Sequence, residues 1–497
     1  MASTMLESPA RPAAQRSGLV LVCMSVCTAL VVGFVAAINL AVPKLAASSL
    51  QPTSSELLWI VDAYVVIFAC LVIPAGAAGD KLGRKGTLLT GLAIFAAGAV
   101  VSAVAPDVAL MLTGRAVTGL GAACVLPNCV GILLHATAPE RRTHALAIWA
   151  AASGIGGVVG NVGGGAVLTA GSWHMLFAAV AVLAIGCLAW AARSAPRSPR
   201  HERTLDLPGT LLFVAAVVAL LIGIIEGPEQ GWGSTVVLTA FAAGVALSVS
   251  WVLVELRVAH PMLDPRLFRN PQLSSVSLGM TVVFFGNFGL FYVNASLLQY
   301  GRGFSVLQTG LGIIPLTVPL LVGTRYVPRL IARIGVSATL AAAFALGSAG
   351  LLGLSYASAM AYPLYAAALV VVGLGIMLAA PCLTAQIASA LPVERAGIAG
   401  GLQSATRELG SALGVAVVGT VLTAGFTQHL PAALQAHSPT PRTVKEALTL
   451  APSDHDVITA AFTQGADTAL RTAALVVLLA GALVVVGAGR GPSTATR

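Results

Sequence analysis

A chain of 497 residues that is 57% hydrophobic and 9% charged is not a soluble globular protein, since ordinary soluble domains carry about 25% charged residues. Its formal net charge of +9 lies in short stretches between apolar runs, which excludes a basic nucleic-acid-binding domain. The mean hydropathy is +0.91, and the apolar runs are continuous rather than alternating, which excludes a membrane β-barrel.

An apolar run of roughly 20 residues crosses the hydrocarbon core as a helix, and about fourteen such runs are predicted. A polar stretch, 1–17, precedes the first run at 18–42, which is too long for a signal-peptide core and reads as a retained span. Runs follow at 57–78, 87–105, 108–134, 145–170 and 174–192. A basic linker over 193–206 leads to two more at 207–226 and 235–255. The remainder lie at 273–299, 307–325, 336–355, 361–388, 396–425 and 470–489, before a tail at 490–497. One long loop, 426–469, separates the last two. Its later part, Asp454 to Asp467, reads as a connector or a short surface helix. All seven cysteines fall in predicted spans, without metal-ligand spacing or a disulfide framework.

Lys and Arg set the orientation. Lys81, Arg84, Lys85, Arg141, Arg142, Arg193, Arg266, Arg325 and Arg333 share one side with both termini. Lys44, Arg302, Arg442, Lys445 and Arg471 occupy the other. The richer side is expected in the cytoplasm, which places the chain in the plasma membrane with both termini inside.

The loop Gly76-Ala77-Ala78-Gly79-Asp80-Lys81-Leu82-Gly83-Arg84-Lys85 packs charge between glycines, with apolar runs on either side. Pro328 to Gly335 reads as a worn copy of it. Gly156, Gly160 and Gly164, four apart, line one helix face and let another backbone approach; Gly410 and Gly414 repeat that spacing late in the chain. Two six-helix halves, 18–192 and 256–489, are therefore expected, with two helices inserted at 207–255. Repeated halves rocking about a central site are the architecture of secondary transporters.

These residues, taken together, resemble the major facilitator superfamily, and within it the fourteen-span drug:proton antiporters. The likeness covers nearly the whole chain. Gly76 to Lys85 resembles the family's loop between spans 2 and 3, and Trp59 to Tyr64 its span 2 entry. Arg115 to Ala123 is similar to the span 4 arginine signature, Gly154 to Gly165 to the antiporter signature, and Trp173 to Phe177 to the opening of span 6. Asp206 to Gly209, Glu226 to Gly233 and His260 to Asp264 resemble landmarks of the inserted pair, and Pro392 to Gly414 the late-span block. Three positions depart from the pattern: Phe34 stands where many relatives have Asp, Thr118 where Gln is usual, and Asn161 where Pro is usual. The resemblance implies an all-α polytopic membrane protein of the major facilitator fold, with proton-coupled efflux of amphipathic small molecules. It implies no cofactor, the proton gradient as energy source, and a monomer that meets lipid, substrate and protons but no nucleic acid.

Ionisable residues inside spans are functional candidates by default. With Phe34 in span 1, Asp62 leads as proton carrier, since a carboxyl in a low-dielectric cavity can cycle between charge states near neutral pH; a capping role at the outer mouth competes. Arg115 must face a cavity or an acid, and the resemblance implies a part in coupling; a structural ion pair is the alternative. Arg407 and Glu408 are neighbours that project about 100° apart, so they are expected not to face each other but to meet groups on other spans, as a proton-coupling site or equally as a gate or structural network. By resemblance, Asp80 bonds across the interface between halves, and Arg84 and Lys85 join it in a gating network with Gly76, Gly79 and Gly83. Gly156, Gly160, Asn161 and Gly164 are expected to serve close packing against a facing helix and a bend, with a hydrogen bond from Asn161 across the cavity as the alternative. Phe34, Asn39, Tyr64, Asn128, Gln299, Tyr300 and Gln386 are candidate cavity-lining groups, with a buried structural role as the alternative for each.

No stretch reads G-x-x-x-x-G-K-[ST], so no nucleotide-binding loop supplies energy. A membrane enzyme needs a reactive constellation, and His135, His144 and His174 have no partner acids or cysteines at ligand spacing. A sensor needs an output domain. A dedicated exporter of one endogenous metabolite stays open beside a multidrug pump.

Overall fold

The computed structural model describes residues 13–138, 141–197, 206–259, 261, 263–390 and 396–488. Most of both expected tails and of the linker 193–206 lies outside them. Every regular element among the described residues is helical. The first half comprises α1 (Ala13–Ala46), α2 (Ser54–Leu82), α3 (Arg84–Ala103), α4 (Val108–Ala136), α5 (Arg142–Ala170) and α6 (Trp173–Ser194). A hairpin of α7 (Leu207–Gln230) and α8 (Thr235–Glu255) follows. The second half holds α9 (Pro271–Ser296), α10 (Val306–Gly312), α11 (Ile314–Gly323), α12 (Val327–Ile334), α13 (Val336–Ala357), α14 (Tyr362–Ser389) and α15 (Ala396–His429), then the short α16 (Ala432–Gln435) and α17 (Val444–Leu450), and finally α18 (His455–Ala488). Among the described residues 13 helices are long and apolar enough to cross a membrane. The described stretch Ile155–Ala170 counts as a shorter apolar helix, and it belongs to the 29-residue α5, which makes the fourteenth rod.

The halves pack by one plan. α1 lies on α5, α3 on α4 and α6, and α2 on α4; in the second half α9 lies on α15, α13 on α14 and α18, and α11 on α14. Glycines make the closest seams. A Cβ at Gly156 would stand 2.7 Å from Ala29 Cα, and one at Gly164 2.7 Å from Ala37 Cβ. In the mirrored seam, Cβ atoms at Gly410 and Gly414 would stand 3.0 Å from Thr281 Cα and Phe285 Cα. Between the halves α2 meets α15, and α5 meets α10; α8 packs chiefly on α7, so the inserted pair lies outside the bundle.

Several expected boundaries shift. Gly76 to Lys85 is not an open loop: α2 continues through Leu82, α3 begins at Arg84, and Gly83 at φ +107° makes the break. Its echo does the same, with α12 ending at Ile334 and Gly335 at φ +83°. A side chain is strained at such angles, so one glycine is enough to turn the chain. The run at 307–325 is divided into α10 and α11, continues through α12, and carries Pro315, Pro319 and Pro328. The long loop is shorter than expected, because α15 reaches His429 and α18 starts at His455, so Asp454 to Asp467 largely forms the first turns of the last helix.

Candidate functional site

The buried charges of the first half, Asp62 and Arg115, lie on α2 and α4, which pack against each other. A capping box starts α2, with Glu56 N donating to Thr53 Oγ1 (3.2 Å) and Thr53 N to Glu56 Oε2 (2.8 Å). Gly119 of α4 lets the two backbones touch: a Cβ there would lie 2.5 Å from the Tyr64 carbonyl oxygen. That approach brings Arg115 against the α2 main chain. Its Nε donates to Ile60 O (2.7 Å) and its Nη2 to Val61 O (3.2 Å).

Arg115 is fully buried, yet no acid touches its guanidinium within hydrogen-bonding distance. The guanidinium carbon instead lies 4.9 Å from the Phe34 ring centroid and 4.8 Å from that of Tyr64. Phe34 also meets Tyr64, Phe95 and Phe177 edge-on, at centroid distances of 5.8, 5.8 and 5.7 Å. Asp62 is as deeply buried, and neither of its carboxyl oxygens has a hydrogen-bond partner; nor does Arg115 Nη1. Asp62 is one turn along α2 from Leu58, and a Cβ at Gly419 of α15 would meet both Leu58 and Tyr292 Cε1 of α9 (3.1 Å), so this face of α2 borders the second half. Thr118, where the family resemblance leads one to expect Gln, bonds Gly114 O at 2.6 Å and fills the α3 contact at Gly98.

From the second half, Arg407 and Glu408 are carried by α15, the helix that packs on α2. They pair with each other, contrary to expectation: Arg407 Nη2 is 2.6 Å and Nε 2.7 Å from Glu408 Oε1. Their Cβ atoms diverge, but the arginine side chain is long enough to fold back.

The remaining predicted residues separate by role. Asp80 pairs with Arg84 (2.8 Å) in its own turn, whereas Lys85 donates to Ala192 O at the end of α6 (2.9 Å) rather than joining that pair. Gly79 takes the Asn128 side chain, which donates to Cys124 O at 2.8 Å. Asn161 donates back to Gly157 O (3.0 Å) and Asn39 to Val35 O (3.0 Å), so both amides bond the preceding turn of their own helices. Gln386 accepts from Gln272 (3.0 Å), and Tyr300 packs edge-on against Phe462. Phe34, Tyr64, Asn39 and Asn128 are buried.

At the end of the bundle opposite Gly83 the halves touch. Gln299 Nε2 donates to Leu40 O (3.3 Å), and Lys445 Nζ, from α17, to Ser48 O (3.3 Å). A Cβ at Gly165 would lie 3.0 Å from Val306 O, and one at Gly310 3.1 Å from Asn161 C. The sequence reading missed a buried polar set in the second half, where Tyr365 donates to Asn294 Oδ1 (2.8 Å) beneath the Arg302 guanidinium. Its only signal was polar residues within an apolar run. Among the described residues no group of three or more His, Cys, Asp or Glu side chains is placed to hold a metal ion.

Comparison with known proteins follows the same lines. The family model described as Major Facilitator Superfamily matches residues 24–415. The chain is 32% identical over 405 residues to a methylenomycin A resistance protein of Streptomyces coelicolor, covering 80% of this chain and 85% of that one. It is 33% identical over 426 residues to a cephamycin export protein of Amycolatopsis lactamdurans, covering 83% and 86%. A solved bacterial homolog of the human lysosomal transporter Spinster, inward-facing and unoccupied, superposes with a TM-score of 0.66 at 17% identity over 97% of this chain and 98% of that one.

Proposed function

The chain belongs to the Major Facilitator Superfamily, and from that premise we propose that it exports amphipathic small molecules of the antibiotic class in exchange for protons. It would do so as a monomer in the plasma membrane, with the Gly83 end and both termini in the cytoplasm. The reading of the cargo is supported by relatives whose names are those of antibiotic resistance and export proteins, at 32% and 33% identity.

The observation that carries the proton half is Asp62. A buried carboxyl with two unpartnered oxygens is expensive unless it is protonated or hydrated. Asp62 lies on α2, the helix that meets α15 of the second half, directly after the two carbonyls that fix Arg115. A proton arriving there changes the charge at the surface along which the halves must slide. Glu408, tied to Arg407, is the second acid of the site.

The test is a susceptibility panel in an efflux-deficient host, with methylenomycin A, puromycin and methyl viologen among the compounds, followed by export from loaded cells. Resistance should appear for at least one compound, collapse with a protonophore and vanish in Asp62→Asn at unchanged expression. Full proton-driven export in Asp62→Asn would overturn the coupling assignment.

A further inference from the structure

We propose that Phe34 and Tyr64 form an aromatic clamp that holds the Arg115 guanidinium on the α2 backbone and off Asp62, which makes Phe34 a positioning residue for proton exchange. This rests on the coupling role of Asp62 given above.

The geometry presents a puzzle. Arg115 and Asp62 carry opposite formal charges, both fully buried in an apolar surround. Coulomb attraction is strongest in such a place. Arg115 bonds the carbonyls of Ile60 and Val61, the two residues directly before Asp62. Yet Nη1 of Arg115 and both oxygens of Asp62 remain without hydrogen-bond partners. Something fixes the guanidinium short of the ion pair.

Two contacts supply that force. A guanidinium within about 6 Å of an aromatic centroid is attracted by the ring quadrupole, more strongly when desolvated. Arg115 has two such rings, at 4.9 and 4.8 Å, and two carbonyl acceptors besides. The rings are themselves held. Phe34 is wedged among Tyr64, Phe95 and Phe177, and Tyr64 Oη donates to Val31 O (3.3 Å). Arg115 therefore keeps its charge and its place without an acid.

The consequence is mechanistic. An Asp62–Arg115 ion pair would hold Asp62 ionised and resist protonation. Held apart, Asp62 can take and release a proton while Arg115 stays still. The titratable and charged groups on the second-half helices at this boundary are Tyr292 of α9, which with Leu58 of α2 crowds Gly419 of α15, and the Arg407–Glu408 pair of α15. Phe34 is thus more than the loss of an acid from span 1, because a carboxylate there would compete with Asp62 for the guanidinium.

The test uses the full-length protein reconstituted in lipid, with Phe34 replaced by mono-, di- and trifluorinated phenylalanine. Fluorination preserves shape and apolarity while draining the ring face. The readout is the infrared band of the protonated carboxyl that Asp62→Asn abolishes, followed against pH. As the clamp weakens, Arg115 turns to Asp62 and the midpoint of that band falls stepwise with fluorine count. Phe34→Leu, where it folds, should give the full fall of roughly one to three pH units expected when a guanidinium meets a carboxylate. A ring that only fills space predicts altered thermal stability and an unmoved midpoint, which would overturn the clamp. The two readings fail separately: export that survives Asp62→Asn removes the coupling role, whereas an immobile midpoint alongside lost export removes only the clamp.

Discussion

Gly160→Ala tests whether the seam between α1 and α5 is closed by bare backbone. A Cβ at residue 160 would stand 2.5 Å from both Cα and C of Gly33. Ordinary carbon–carbon contact is about 3.5–4.0 Å, so the helices must part by about 1 Å at that level. They cannot do so locally, because Gly156 against Ala29 and Gly164 against Ala37 are close contacts one turn to either side. Overpacking costs about 1–3 kcal/mol, and the upper part of that range applies where the obstructing atoms are main chain. Alanine returns up to about 1 kcal/mol through helix propensity. The net expectation is a loss of about 1–2 kcal/mol. Gly157→Ala and Gly163→Ala supply controls in the same helix, since a Cβ at either meets nothing within 4 Å; these should be neutral or slightly stabilising. Thermal unfolding in detergent, followed by intrinsic fluorescence, separates the three. If Gly160→Ala melts with the two controls, the close-packed seam is not what holds α1 to α5.

Three further substitutions follow from the same geometry. Gly83→Ala forces a side chain onto φ +107° and should lower stability by about 1–3 kcal/mol, whereas Gly86→Ala, with open space around it, should not; paired melting curves decide. Glu408→Gln removes the partner of Arg407, whose side chain is 24% exposed against 5% for Glu408. Its cost should fall below the roughly 3–5 kcal/mol of a fully buried pair, and export in an efflux-deficient host should drop while Arg407→Lys with Glu408 retained keeps part of it. Ser48→Cys with Lys445→Cys, joined by a short reducible cross-linker, should arrest export and regain it on reduction, since the parent residues bridge the halves at 3.3 Å; export unaffected by the link would show that this end need not open.

The fold was legible because its determinants are local and repeated. Apolar runs give the helices, Gly156, Gly160, Gly164, Gly410 and Gly414 mark the seams by spacing alone, and the turn at Gly83 has its copy at Gly335. The boundaries were less legible. Hydropathy ends a helix where polarity begins, but α18 starts at His455 with a polar first turn, and α2 runs through Asp80 and Lys81 to Leu82. Helix propensity does not stop at a membrane surface. The side-chain partners were the least accessible. Helical spacing puts Cys27 beside Cys23 on α1, but nothing in sequence places it beside Cys129 and Cys187, for those contacts join α1 to α4 and α6 in the packed core. Arg407 and Glu408 were assigned to other helices by the angle between their Cβ atoms, and the flexible reach of arginine defeated that geometry. Phe34 was read as a missing acid, because a ring that binds a cation from 81 positions along the chain leaves no local trace.

The placement of charge also constrains how proton binding can be converted to motion. Arg115 is bonded to the backbone of α2, so α2 and α4 must travel together at this level. The glycine seams bind α1 to α5 and α9 to α15 in the same way, which leaves each half stiff. What remains to change is the contact of α2 with α15 and of α5 with α10, where the halves meet. Asp62 lies one turn along α2 from Leu58, which with Tyr292 crowds Gly419 of α15 at the first of these contacts, and the Arg407–Glu408 pair is carried by that same α15. Under the proposed exchange, a proton on Asp62 would act at a surface of the first half that the glycine seams do not lock. Placed a turn further toward the α1–α5 seam, the same carboxyl would titrate against immobile backbone and move nothing.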